Sequence, residues 1–204
     1  MKAQFVKLPI FTSDGQFVAH YSENGLAELN FPQAGTPRCG VRTSQLVAPK
    51  HSEGGRVPTK VRNWYQATAA ALKNILAGRS PGKFPPLDLS NGTTFQRKVW
   101  NTLRKIARGQ TKSYGEIARA IGRPRAVRAV GSACGANPIP VLVPCHRVLA
   151  ANGKLGGFSG GLNWKRKLLT REGAMFWSGG TATPPGMLAA QQRGPTFDFR
   201  QSAG

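Results

Sequence analysis

The chain has 204 residues, which is long enough for one domain or two small ones around a proper hydrophobic core. Its formal net charge is +21, from 29 lysines and arginines against 8 acidic residues, so a polyanionic partner is expected, with nucleic acid first and an anionic membrane second. Three widely spaced cysteines, no signal-peptide pattern and no long apolar run argue against a secreted disulfide framework and a membrane-spanning protein, and favour a soluble chain with free thiols in a reducing, cytosolic compartment.

The first third alternates apolar and polar residues in the segments FVKLPIF, QFVAHYS and LAELNF. Turn residues at 13–15 and 23–25 separate these segments, so we predict a small antiparallel sheet built from hairpins. Residues 34–60 show no periodicity, which predicts a long loop. Apolar residues then recur at helical spacing over 61–78, and we expect this helix to cover one face of the sheet.

Residues 80–92, SPGKFPPLDLSNG, have the composition of a linker and place the predicted domain boundary. We therefore predict an N-terminal α/β domain over 1–88 and a second domain over 89–177. The remaining tail, 178–204, is rich in Gly, Pro, Gln and Ala and is predicted to be disordered.

Three helices are predicted after the linker, over residues 93–109, 113–122 and from about 124 to 135. The first two begin at capping boxes, in which a hydroxyl residue and the acid or amide three positions later satisfy each other's backbone N–H groups. Short helices joined by a glycine-containing turn match a helix-turn-helix. The capping-box pairs are Thr93 with Gln96, and Ser113 with Glu116.

The third predicted helix is built from small residues with isolated arginines among them. Helices that read bases in the major groove usually present long amide or guanidinium side chains, so this thin surface better fits close approach to a narrow groove. A helix packed inside the domain is the alternative, but the basic neighbours favour the groove. Residues 89–177 hold sixteen Lys or Arg residues and only two acids, which places the positive charge in this folded half rather than in a tail.

The segment VLVPCHRVLA, residues 141–150, interrupts an apolar run with a cysteine beside a histidine. Cys39 and Cys134 are expected to be small buried hydrophobic residues. Cys145 differs from them because His146 follows it directly. A single Cys–His pair lacks a second pair of ligands at finger-like spacing, so no metal site is predicted. Nucleophilic chemistry at Cys145 remains as the hypothesis.

A thiol attacks as the thiolate and needs a base or a positive field to form it. His146 is the obvious base. Neighbouring side chains of an extended segment point to opposite faces, so a bridging water or a local turn would be needed to join His146 to Cys145. The base needs an orienting acid in turn. Glu116 already belongs to a capping box, whereas Glu172 lies near the end of a predicted helix, where the helix dipole disfavours an acid.

The glycine-rich segment 153–161, GKLGGFSGG, permits close backbone approach and offers N–H donors. A flexible loop is the simple interpretation. Phe158 and Ser159 within it favour a wall that faces a ligand.

Residues 93–173 resemble the O6-alkylguanine-DNA alkyltransferases, also called methylated-DNA-protein-cysteine methyltransferases. SYGEIARAIGRPRAVRAVGSACGANPIPVLVPCHRV and GGFSGGLNWKRKLLTREG carry the resemblance, and the first ninety residues resemble the family's N-terminal domain more loosely. It implies an α+β fold: a small ribonuclease H-like antiparallel sheet with a helix, then a mainly helical, winged-helix-like domain with a helix-turn-helix. It implies double-stranded DNA containing O6-alkylguanine as the partner, no cofactor and no membrane.

The resemblance also assigns catalytic roles. Cys145 would take the alkyl group from guanine O6 by in-line displacement and would not be regenerated. Glu172, His146 and a water would draw the proton from that thiol. Tyr114 would hydrogen-bond the flipped guanine, and Asn137 would order the turn between the recognition helix and the active-site segment.

Arg128 matches the family arginine that enters the base stack in place of the flipped nucleotide. Extrusion of the base is expected because an alkyl group inside the duplex cannot meet a thiol inside a protein. The other candidate DNA contacts are Ser113, Tyr114, Arg125, Ala126, Val127, Ala129 and Gly131. The pocket candidates are Pro140, Val148, Phe158, Ser159 and Lys165.

The chain departs from the family pattern in three places. Val127 is bulkier than the alanine often found in this helix, and Phe158 stands where some members have a tyrosine. Some members hold a structural zinc in the N-terminal domain, and Cys39 with His20 and His51 does not reproduce such a site, so no metal is predicted.

Three other functions are alternatives for a chain with these features. A non-catalytic sensor of alkyl lesions shares this architecture but commonly has tryptophan in place of the nucleophile, which Cys145 contradicts. A transcriptional regulator would need a better base-reading helix, and a cysteine hydrolase would need an oxyanion loop. We expect a monomer in solution, with cooperative assembly on DNA left open, in the cytoplasm or nucleoid, or in the nucleus of a eukaryote.

Overall fold

Three antiparallel strands form the N-terminal sheet. The computed structural model describes residues 5–33, 51–52 and 55–177. Strand β1 is Val6–Thr12, β2 is Gly15–Tyr21 and β3 is Leu26–Asn30, in the order β1-β2-β3. Every second residue of β2 is buried, because successive side chains of a strand point to opposite faces. The predicted hairpin sheet is confirmed.

The predicted loop over residues 34–60 is wrong at its end. Strand β4, His51–Ser52, pairs with β5, Gly55–Arg56, since two short antiparallel segments satisfy each other's backbone groups. Residues 34–50, with the predicted loop there and Cys39, lie outside the described residues, as does the predicted disordered tail over 178–204.

Helix α1, Thr59–Leu76, covers one face of the sheet, as predicted. Its apolar stripe is buried, and two hydroxyl contacts tie it to the strands. Tyr65 donates to the carbonyl of Pro9 at 3.0 Å, and Tyr21 donates to Oγ1 of Thr68 at 2.9 Å.

Three helices follow the linker: α2, Thr94–Leu103; α3, Tyr114–Ala120; and α4, Val127–Gly135. Both predicted capping boxes are confirmed, with the backbone and side-chain bonds of each present. Between α2 and α3 lies the short strand β6, Lys112–Ser113. The box at the second helix therefore connects a strand directly to a helix.

Two predicted helix boundaries are wrong. Helix α2 ends at Leu103 rather than at residue 109, because the N–H of Ile106 bonds the carbonyl of Leu103 in a tighter turn. Helix α4 begins at Val127 rather than near residue 124, because the N–H of Ala126 closes a separate turn on the carbonyl of Arg123.

The segment around the candidate nucleophile is not extended but forms a local turn, one of the two alternatives that the sequence left open. Cys145–Arg147 form one turn of 3-10 helix, closed by the N–H of Arg147 on the carbonyl of Pro144 at 3.1 Å. Strand β7, Val148–Leu149, then pairs in parallel with β6. A second 3-10 turn, Ala151–Gly153, precedes helix α5, Leu162–Glu172.

The sheet and the second half share one continuous hydrophobic cluster, which includes Leu8, Phe17, Val99, Ile139 and Leu168. This mixed arrangement confirms the α+β class. The division at residue 88 stays a prediction. Within the part of the chain that the structure describes, no helix combines the length and apolar character needed to cross a membrane.

Candidate active site

The thiol of Cys145 is buried at the first position of its 3-10 turn. Nδ2 of Asn137 donates to Sγ at 3.1 Å. Burial raises the pKa of Cys145 to about 11, against opposing contributions from the Asn137 hydrogen bond, the charge of Lys165 and nearby backbone N–H groups. The resting group is therefore a thiol at neutral pH, so it must lose its proton as it reacts.

Asn137 also holds the loop that leads to the cysteine. Its Nδ2 donates to the carbonyl of Val143 at 2.8 Å, and its Oδ1 accepts from the N–H of Ile139 at 3.1 Å. Between these contacts Val141, which is fully buried, has a φ of 73°. A β-branched residue in this left-handed region is strained, so the loop holds its shape because its surroundings impose it.

His146 lies fully buried beside the acid that the sequence suggested. Its Nε2 is 3.0 Å from Oε1 of Glu172. Burial lowers the pKa of His146, although Glu172 opposes that effect, so the ring is neutral at rest. With Nε2–H donating to the carboxylate, the lone pair resides on Nδ1. Among the described residues Nδ1 has no hydrogen-bond partner, which leaves it able to accept a proton.

Arg147 completes this arrangement, and sequence reasoning did not identify it as a site residue. Its Nε and Nη2 donate to the two oxygens of Glu172, each at 2.8 Å, and its Nη1 donates to the carbonyl of Ile106 at 2.6 Å. Burial would raise the pKa of Glu172, but the hydrogen bonds from His146 and Arg147, with the charge of Arg147, lower it to about 2. The signal was available: a buried arginine in an apolar run needs an acid partner.

Lys165 is fully buried on α5 and joins two segments that follow the cysteine in the chain. Its Nζ donates to the carbonyl of Val148 at 2.7 Å and to that of Gly157 at 3.3 Å. Burial lowers the pKa of Lys165 to about 8, against the attraction of Cys145 and Cys134. The ammonium thus holds β7 to the glycine-rich loop and favours a thiolate nearby.

The predicted pocket residues occupy different depths. Pro140 and Val148 are buried, Tyr114 and Phe158 are partly buried, and Ser159 is exposed. The ring of Phe158 stands edge-on to that of His146, with centroids 6.4 Å apart. Burial raises the pKa of Tyr114 to about 12, so its hydroxyl stays protonated and can donate a hydrogen bond.

The predicted DNA contacts on α4 lie on its outer face. Val127, Arg128 and Ala129 are exposed and Gly131 is partly buried; directly before the helix, Arg125 is exposed and Ala126 is partly buried. The opposite face, with Val130, Ala133 and Cys134, packs inward, and Trp100 bonds the carbonyl of Ala133 at 2.8 Å. None of the ion pairs found within the described ranges involves Arg125 or Arg128.

The contacts therefore bring together Cys145, His146, Glu172, Asn137 and Lys165, while Ser113 serves as the cap of α3. These contacts do not join Arg125 or Arg128 to this cluster. Cys134 is a buried free thiol, as expected. Over residues 5–33, 51–52 and 55–177 no group of three or more His, Cys, Asp or Glu side chains could hold a metal ion.

Comparison with known proteins covers the second half best. Residues 94–174 match the family model for the DNA-binding domain of 6-O-methylguanine DNA methyltransferase. The methylated-DNA–protein-cysteine methyltransferase of Methanosarcina acetivorans is 57% identical over 83 residues, which are 41% of this chain and 53% of that protein. The protein of that name from Mycobacterium tuberculosis H37Rv is 59% identical over 86 residues, 42% of this chain and 52% of that protein. The chain thus spans about half the length of these curated relatives.

Solved structures extend the likeness to most of the chain. The crystal structure of Mycobacterium tuberculosis OGT in complex with DNA is 37% identical with a TM-score of 0.62, and the match covers 81% of this chain and 91% of that chain. The O6-methylguanine-DNA methyltransferase of Pyrococcus kodakaraensis is 22% identical with a TM-score of 0.55, over 84% of this chain and 100% of that chain, which shows the fold alone.

Proposed function

Because the chain belongs to the O6-methylguanine-DNA methyltransferase family, we propose that it repairs alkylated DNA by transferring the alkyl group from guanine O6 to its own Cys145. The partner is double-stranded DNA that contains O6-alkylguanine. The observation that carries this proposal is a buried thiol next to a neutral histidine whose far nitrogen is bonded to a carboxylate. Nucleophile, base and orienting acid are thus supplied by Cys145, His146 and Glu172.

In the reaction Sγ attacks the alkyl carbon as the bond from that carbon to guanine O6 breaks. The thiol proton passes to Nδ1 of His146, directly or through a water, and Glu172 stabilises the imidazolium that forms. The departing guanine takes a proton on N1 from water, and the imidazolium returns its proton to water, so overall the alkyl group and the thiol proton have exchanged places. The thioether is stable, so each chain repairs one lesion.

The raised pKa of Cys145 supports deprotonation during the reaction rather than a stored thiolate. The amide of Asn137 and the ammonium of Lys165 then stabilise the sulfur as its charge develops. A preorganised donor and a buried cation act strongly there because little water screens them.

DNA recognition belongs to the exposed face of α4 in this proposal. Arg128 fills the stack that the extruded guanine leaves, and Tyr114 donates to the flipped base. The small residues Ala126, Ala129 and Gly131, with Val127, let the helix approach the minor groove. Arg125 and Ser113 contact the backbone, and most of the affinity is expected to fall with salt.

The finer structural and cellular assignments follow the same proposal. The sheet with α1 is assigned a ribonuclease H-like fold, and the helical half a winged-helix-like fold. Pro140, Val148, Phe158 and Ser159 line the guanine pocket. The protein acts as a monomer where the DNA is, in the cytoplasm or nucleoid, or in a eukaryotic nucleus.

The test is mass spectrometry after incubation with a duplex that carries a single O6-methylguanine. We expect one methyl group per chain, confined to the peptide with Cys145, and none from a duplex with plain guanine. The Cys145→Ser variant should bind the lesion duplex without gaining the group, whereas Cys134→Ala, its matched buried cysteine, should react normally. Tight lesion binding with no methyl gain in the unmodified chain would instead indicate a non-catalytic sensor.

A further inference from the structure

Phe31 connects the N-terminal sheet to the candidate pocket. It follows β3 directly and is partly buried. Its ring lies 5.7 Å from Phe17, 5.1 Å from Trp164 and 5.6 Å from Phe158, measured between centroids. We call these four side chains the aromatic cluster. Phe158 belongs to the glycine-rich loop, so Phe31, directly after the last strand of the sheet, contacts the wall of the candidate pocket.

The ring contacts continue from Phe158 to His146, the proposed general base. Phe31 meets Phe158 at an interplanar angle of 71°, and Phe158 meets His146 at 84°, both edge-on. Edge-to-face pairs are directional, because the positive edge of one ring faces the negative face of the other. The orientation of Phe158 is therefore set on one side by Phe31 and on the other by His146.

Gly160 shows how closely the Phe31 ring is packed. A Cβ at this position would lie 2.5 Å from Cε2 of Phe31, far inside van der Waals contact. A free ring could move aside, but this one is flanked by Phe17, Trp164 and Phe158. Any side chain at position 160 would displace the Phe31 ring within the aromatic cluster, which includes Phe158.

The backbone prevents the whole strand from retreating. The N–H of Leu29 in β3 donates to the carbonyl of Pro138 at 2.9 Å. Pro138 begins the loop that carries Pro140 and ends at Cys145. The end of β3 is thus held to the same loop that places the thiol, so the distance from Phe31 to the pocket is fixed.

We propose that Phe31 is a positioning residue that holds Phe158 in place and thereby limits the size of the alkyl group that Cys145 can accept. The inference rests on the proposed function, because it concerns selectivity in the same transfer. When the Phe31 ring is removed, Phe158 can turn into the vacated space and the pocket widens. The wider pocket should not speed the transfer of a methyl group, whereas it should speed the transfer of the larger benzyl group.

The test compares single-turnover transfer from O6-methylguanine and O6-benzylguanine placed in the same duplex sequence. For Phe31→Ala we expect the ratio of the benzyl rate to the methyl rate to rise about tenfold, the lower end of the discrimination that one methylene produces in an apolar pocket. Phe31→Leu should show a smaller rise and keeps most of the buried volume if the alanine variant folds poorly.

Phe17→Leu is the matched control. Phe17 is fully buried and touches Phe31 and Trp164, but no ring pair found among the described residues joins it to Phe158. It should lower stability and raise the rate ratio less than the Phe31 variants do, because Phe31 keeps its contact with Phe158. Phe11→Leu, at an exposed phenylalanine of β1, should change neither quantity.

A reciprocal test starts from the loop. Gly160→Ala should slow both transfers by displacing Phe31 within the aromatic cluster, and adding Phe31→Ala should restore them. An unchanged rate ratio in both Phe31 variants, the same rise in Phe17→Leu, or no rescue of Gly160→Ala would each overturn the positioning role. Failure of the unmodified chain to transfer any methyl group would overturn the proposed function itself, and the inference with it.

Discussion

Charged side chains are held in opposite ways around Glu172 and on the outer face of α4. Near Glu172 each charge is buried and bonded: Arg147 makes three hydrogen bonds there, two of them to the carboxylate. Arg128 on α4 and Arg125 just before it are exposed, and none of the ion pairs found among the described residues involves them. Burial makes a charge costly without a partner, whereas an exposed charge remains available for an external anion. Substitutions near Glu172 should therefore change both the free energy of unfolding and the transfer rate. Substitutions on the outer face of α4 should change repair without changing stability.

Glu172→Gln should have the largest effect. We expect transfer to slow about a thousandfold, because the amide no longer stabilises the imidazolium of His146. The free energy of unfolding should fall by about 3–5 kcal/mol, because Arg147 keeps its buried charge without a counterion. Single-turnover rates and urea denaturation measure the two losses. Glu28→Gln, at an acid exposed beside His20, should change the stability by less than about 1 kcal/mol and leave the rate unchanged.

Arg147→Met should separate the loss of stability from the loss of transfer rate. The carboxylate loses its bidentate partner, so we expect a loss of about 3 kcal/mol in stability. Its bond to Nε2 of His146 remains, so transfer should slow much less than in Glu172→Gln. Equal rate losses in the two variants would contradict a mainly positional role for the guanidinium.

The stability linked to Glu172 should depend on pH in a defined window. Its pKa is lowered from an ordinary value of 4.5 to about 2 in the folded chain. A lowered pKa means that the carboxylate stabilises the fold fully above about pH 4.5 and loses this effect as the pH falls toward about 2. The stability difference between the unmodified chain and Glu172→Gln should narrow over that interval in urea titrations. A constant difference would argue against the ion pair as its source.

Arg128→Ala should have the smallest effect on the fold. Its side chain is exposed, so we expect stability to change by less than about 0.5 kcal/mol. Repair of a duplex should slow about tenfold, equivalent to about 1.4 kcal/mol, because the extruded base leaves an unfilled stack. Transfer from the free base O6-benzylguanine should be unaffected. Equal losses on both substrates would contradict a role in the stack.

Local features were predictable from the sequence because a few neighbouring residues determine them. The hairpin sheet and both capping boxes depend on turn residues and on bonds between positions three apart. The ends of α2 and α4 were missed because a competing turn bond, at Ile106 or at Ala126, decides where a helix stops or starts. Such bonds leave no signal in apolar periodicity.

The candidate site was partly predictable for a similar reason. Glu172 could be linked to His146 because an acid at the end of a helix lacked a local explanation, and the two groups lie 3.0 Å apart. The 3-10 turn at Cys145 was only one of two alternatives, because no local pattern separates it from a bridging water. The pair of hydrogen bonds from Arg147 to Glu172 was missed, although an arginine in an apolar run signals an acid partner. Phe31 was missed altogether, because its contact with Phe158 joins segments far apart in the sequence.

The continuous hydrophobic cluster gives the chain a thermodynamic character of its own. Leu8 in the sheet and Leu168 in α5 belong to one buried cluster, and the hairpin acid Asp14 bonds both Lys167 and Arg171 of that helix. Melting should therefore be cooperative, with a single calorimetric transition rather than one for each half. A protease cut within residues 80–92 should not release a helical half that is stable on its own. Thermal unfolding of the sheet would then abolish the proposed repair as completely as loss of the thiol.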